Sequence, residues 1–103
     1  MLLEQHYKID DVITIKLSSG EELIGKLQEE TDDFFKIRMP LTLVAGQQGL
    51  GLQQFLFTGD PEGAIKINKT AITVTTKTVD NFAKLYIERT TGLATPPANL
   101  QVK

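Results

Sequence analysis

The stretch from Val12 to Leu43 limits what this chain can fold into more than any other. Ile13, Ile15 and Leu17 alternate with Thr14, Lys16 and Ser18, the period-2 pattern of a strand with one buried face. Ser19 and Gly20 supply a turn, where Gly20 is free to take positive φ. Leu23, Gly25 and Leu27 then share one face of a second strand. A glycine in mid-strand marks a sharp bend or a close backbone approach, as in a small sheet that curls on itself. After a polar connection over 29–33, Phe35, Ile37, Met39, Leu41 and Leu43 face one way, while Lys36, Arg38, Pro40, Thr42 and Val44 face the other. Pro40 has no N–H for a ladder, so this long strand must be bulged or bent there, or lie at an edge.

Further along, Gly46, Gly49 and Gly51 mark a hairpin loop and 52–57 reads as a strand. A turn over 59–63 leads to a short extended piece at 64–67. Asn68, Lys69 and Thr70 connect it to a β-branched strand over 71–76. The period then changes. Asp80 is the expected N-cap of a helix near 80–90 with Phe82, Leu85, Tyr86 and Arg89 on one side, ended at Thr91 and Gly92. Residues 91–103, with Pro96 and Pro97, have little to bury and read as a flexible tail. The expectation is one mainly β domain over 1–90: a small, five-stranded, strongly bent antiparallel barrel of SH3 type with a C-terminal helix. Closure would remove exposed edges; an open sheet would need neighbouring subunits to cover them.

Composition removes several functions. The 103 residues include no cysteine and one histidine, so disulfides, thiolate metal sites and cysteine nucleophiles are excluded. His6 lies alone near the N-terminus. The acid pairs at 10–11, 21–22, 29–30 and 32–33 would point apart in strands, so no metal, cofactor or catalytic set is expected and the chain reads as a non-enzyme. Gly46-x-x-Gly49-x-Gly51 is followed by a strand pattern, whereas a phosphate loop opens a helix. No apolar run approaches the ~18 residues of a membrane span, and the N-terminus has acid where a secretion signal has base; the reading is a soluble, cytoplasmic protein. Residues 1–33 carry nine acids against three bases, and residues 34–103 eight bases against four acids. The net charge of −2 therefore hides a basic later half, which leaves room for a local anion-binding surface.

Gly20 at the turn, Gly25-Lys26-Leu27 in the second strand, Asp32, Phe35 and the alternating Ile37 and Met39 resemble the first signature segment of the Sm/Lsm (Sm-like) family, small β-barrels that assemble into RNA-binding rings. The place of that family's base-pairing asparagine falls on Lys36. Lysine has donors only and cannot repeat reciprocal amide pairing with a base. The family's second motif, an Arg-Gly turn between the last two strands, falls on Asn68 and Lys69, which match in layout and not in residue type. The family usually carries its helix first; here the helix comes last. The chain resembles divergent Sm-like proteins, some carried by phages, more than the eukaryotic splicing set, and for a phage protein the compartment would be the host cytoplasm.

The resemblance implies a closed homo-oligomeric ring that binds single-stranded RNA, or single-stranded DNA, through pore-facing loops at Asp32, Phe34, Phe35, Lys36, Asn68 and Lys69. Bases would stack on Phe35 or Phe34 while Lys36 and Lys69 meet phosphates, in RNA processing or turnover. Lysine in place of asparagine would trade base selectivity for charge attraction and salt sensitivity. The alternative is a structural or adaptor ring that holds proteins and no nucleic acid.

Overall fold

The computed structural model describes residues 7–60 and 62–92; the tail over 93–103 and His6 lie outside the described residues. Six strands form one antiparallel sheet: β1 (Val12–Leu17), β2 (Glu22–Glu30), β3 (Phe34–Gly46), β4 (Gly49–Gln54), β5 (Ala64–Asn68) and β6 (Ile72–Lys77). A single 3₁₀ turn (Lys69–Ala71) joins β5 to β6, and one helix, α1 (Asp80–Thr91), follows. The spatial order is β4-β3-β2-β1-β6, with β5 beside β3. No pairing joins β6 to β4 or β5, so the sheet stays open where closure into a barrel was expected.

The fourth strand expected at 52–57 is β4, shifted back to Gly49–Gln54, and Gln47 and Gln48 alone form the tip of its hairpin with β3. The β propensity of Phe55, Leu56 and Phe57 is overridden there: the chain leaves the sheet and returns at β5. The free edge of β3 is therefore shared, Leu41–Gly46 pairing with β4 and Phe34–Arg38 with β5.

The bulge that Pro40 requires is present. Between the pairs Ile24↔Leu41 and Lys26↔Arg38, β3 spends one residue more than β2; between Leu27↔Ile37 and Glu29↔Lys36, β2 spends one more. Met39 takes φ +49° at the first of these bulges. Two residues there stand opposite one, and the side-chain alternation reverses. The expected single apolar face from Phe35 to Leu43 is thereby split. Phe35 and Ile37 enter a first core with Ile13, Ile15, Leu23, Leu27 and Ile67. Met39, Leu41 and Leu43 turn to the opposite side, with Ile24 and Leu52, under the helix residues Phe82, Leu85 and Tyr86. Gly25 sits at the crossing: a Cβ there would overlap Ile37 Cγ2, so close approach of β3 explains the glycine.

The helix starts one residue earlier than expected. Val79, not Asp80, occupies the N-cap and its carbonyl accepts from Ala83 N–H at 2.9 Å. Asp80 lies in the first turn, where a carboxylate favours the positive end of the helix. Gly92 caps the C-terminus in the left-handed conformation. Tyr86, 1% exposed, donates its hydroxyl to the bulge carbonyls of Arg38 (2.8 Å) and Met39 (3.0 Å), and Arg89 donates to the Leu52 carbonyl at 2.9 Å. Burial pushes the Tyr86 phenol up to about 12.

Candidate nucleic-acid interface

Two loops far apart in sequence meet at one end of the sheet. In the β2–β3 turn, Thr31 N–H donates to Phe34 O at 2.9 Å, and Thr31 Oγ1 accepts from the N–H groups of Asp33 and Phe34, both at 3.1 Å. This short hydroxyl-capped turn belongs to Thr31. Asp32 and Asp33 are exposed and cap nothing. On the other side, β5 ends at Asn68 and the 3₁₀ turn begins at Lys69. Lys69 N–H donates to the Asp33 carbonyl at 2.8 Å, and Phe34 stands directly opposite Asn68 in the ladder.

The two phenylalanines take different roles. Phe35 is 5% exposed and belongs to the first core. Tyr7 lies against it, ring centroids 6.3 Å apart, and the Lys69 ammonium covers it at 5.0 Å. Little of its ring reaches solvent, so Phe35 is less well placed than Phe34 for the stacking role expected of either. Phe34, its neighbour, points to the opposite side of the sheet and is half-buried. Its ring carries the Lys66 ammonium at 4.9 Å from the centroid.

The cations divide in the same way. Lys69, expected to meet phosphate, is held by Glu30 at 2.8 Å in a partly exposed ion pair. Lys36 lies on the Phe34 side of β3 and stands opposite Lys66 of β5. The structure thus gathers Phe34, Lys36 and Asn68 on one surface, with Asp32 in the adjoining turn, while Phe35 and Lys69 line the other side with Tyr7 and Glu30. That other side is an open groove running along β6 from Ile72 to Thr75.

Sequence reasoning missed Lys66, Glu30 and Tyr7. Lys66 alternates with Ile65 and Ile67, which marks it as outward-facing, but its partnership with Phe34 depends on the register of β3 against β5. Among the described residues, no group of three or more acidic or histidine side chains is placed to hold a metal ion, and no helix is long and apolar enough to cross a membrane. The chain matches no family model and no curated protein.

Proposed function

We propose that the chain is an Sm-like subunit that binds single-stranded RNA at the Phe34–Asn68 surface, as part of a ring of identical copies. The observation that carries this reading is the direct opposition of Phe34 and Asn68, from the two loops that the sequence resemblance singles out. An exposed amide beside an aromatic ring can hold the edge of a base that stacks on the ring. Asn68 thus supplies from β5 the reciprocal donor and acceptor that Lys36 lacks. In the free protein Lys66 covers Phe34, a contact contributing about 0.5–1 kcal/mol at an exposed site. Base stacking contributes about 1–3 kcal/mol, so a base displaces the ammonium, which remains close enough to meet that nucleotide's phosphate.

Ring assembly is supported by the two bare edges at opposite ends of the sheet, β6 at one and β4 with β5 at the other. Pairing one edge with the opposite edge of the next copy is a head-to-tail contact that closes by rotation. Such a ring covers the edges that each copy alone leaves open.

The test is fluorescence anisotropy with U-rich and A-rich RNA and DNA oligomers, on protein whose assembly has been measured by light scattering. Binding that Phe34→Ala abolishes and Asn68→Ala redirects among bases is the expected result. Assembled protein that binds no oligomer would leave an adaptor ring. A monomer would remove the ring and leave the Phe34–Asn68 surface to act in a single copy.

A further inference from the structure

We infer that the outer face of the β2–β3–β5 ladder is a phosphate track, on which Lys66, Lys36, Arg38 and Lys26 carry the backbone of a single strand past Phe34. This rests on the reading that the chain binds single-stranded nucleic acid and extends it from the loop cluster onto the sheet.

The ladder makes the case. Lys36 stands directly opposite Lys66, and Lys26 directly opposite Arg38. Arg38 is two residues beyond Lys36 on the same strand, so both pairs lie side by side on one face. Like charges directly opposite each other destabilise a sheet. Two adjacent pairs of the same sign are a cost that no ion pair among the described residues relieves. The ion pairs among the described residues, Lys69 with Glu30 and Lys77 with Asp11, lie elsewhere. Glu29 stands opposite Lys36 on the β2 side without forming an ion pair.

The two pairs differ in what lies beside them. Lys26 and Arg38 line a small cleft with Thr90 and Thr91 in the last turn of α1, whose carbonyl end offers partial negative charge. Lys36 and Lys66 have no helix end beside them: Lys66 rests on the Phe34 ring, and Lys36 has Glu29 across the ladder without an ion pair. Beyond the bulge the same side of the sheet is covered by α1; before the bulge it is bare, and Arg38 and Lys66 are exposed.

A polyanion fits the charge, and Phe34 selects among polyanions. It lies two residues before Lys36 on the same face, about 7 Å along the strand. A nucleic acid can satisfy both features at once, stacking a base on the ring and laying phosphates over the cations. An acidic peptide uses only the cations.

The test compares Lys66→Gln, Arg38→Gln and Asn68→Ala in the full chain, using a labelled oligouridine titrated across salt concentrations and thermal unfolding without ligand. Each cation removed should flatten the dependence of log affinity on log salt by about 0.7. Lys66→Gln should leave the unfolding midpoint within a few degrees of the native chain, because relief of the repulsive pair offsets the lost contact with the Phe34 ring. A residue whose loss weakens binding without lowering stability is kept for its ligand. Unchanged slopes for both glutamine variants, with binding still sensitive to Asn68→Ala, would overturn the track and leave the loop site intact. A wild-type chain that binds no oligomer removes both readings. Binding of polyglutamate as tight as that of the oligouridine, with the same lysine dependence, would overturn the choice of nucleic acid.

Discussion

The two halves of β3 are one continuous strand put to opposite uses. From Met39 onward its outer side is apolar, sits under α1 and is fastened by the Tyr86 hydroxyl. Before Met39 its outer side carries Phe34, Lys36 and Arg38, and only the Lys66 side chain and the end of α1 reach it. The inner side reverses in step: Phe35 and Ile37 are core, while the second half contributes little to that side. A single extra residue at the bulge therefore separates a half that α1 covers from a half that it does not. Where a small sheet has only one helix to cover it, the uncovered remainder is the first place to look for function.

The largest expected effect comes from merging the two halves. Gly25→Val should lower stability by about 3 kcal/mol through overpacking against Ile37, with a lower denaturation midpoint. A tolerated valine would show that β2 and β3 do not approach closely at the crossing. Next, Tyr86→Phe leaves the Arg38 and Met39 carbonyls without their donor and should cost about 2 kcal/mol. Its effect should be confined to the covered half: amide exchange speeds up in α1 and around Met39 but not over 64–68. Uniform acceleration would mean that the halves unfold together.

A third test uses pH. The Tyr86 phenol titrates at about 12 in the fold against 10.0 in an ordinary setting, because burial disfavours the phenolate. The raised value favours the protonated fold, so the contribution is complete below pH 10 and declines as pH rises toward 12. Alkaline unfolding should show this slope in the native chain, and Tyr86→Phe should remove it. The smallest effect lies in the bare half. Glu30→Gln breaks a partly exposed ion pair and should change stability by less than about 1 kcal/mol. It also removes an acid from the end of the sheet that carries Phe34 and Asn68, so oligonucleotide affinity should rise slightly at low salt; a fall would mean that Glu30 organises the loop.

Much of this arrangement is written in the sequence, and the rest is lost at identifiable places. Alternation in 12–17 and 22–27, the close approach at Gly25 and the interruption at Pro40 are each legible from local chemistry. The reversal that sends Met39, Leu41 and Leu43 to the helix side is not, because a bulge adds a residue without changing composition and methionine gives no sign of φ +49°. Glu29 and Glu30 look like loop, yet pairing with Lys36 and Phe35 draws them into β2. Phe34 and Asn68 were nameable as loop residues. That they oppose each other, and that Lys66 stands against Lys36, depends on the β3–β5 register, and the place of Lys26 depends on the two β2–β3 bulges. Tertiary pairing, not propensity, decides those contacts.

The strand β6 runs Ile72-Thr-Val-Thr-Thr76, five β-branched residues with no charge or proline among them, and one side of its backbone has no partner. Such an edge accepts almost any extended strand. In the ring proposed above, its fate is a kinetic contest between the proper neighbour and an improper one, and the time each new copy spends alone sets the odds. Slow or dilute synthesis lengthens that interval, and local synthesis of many copies from one message shortens it. For such a ring, the rate and place of translation become part of how its subunits stay out of fibres.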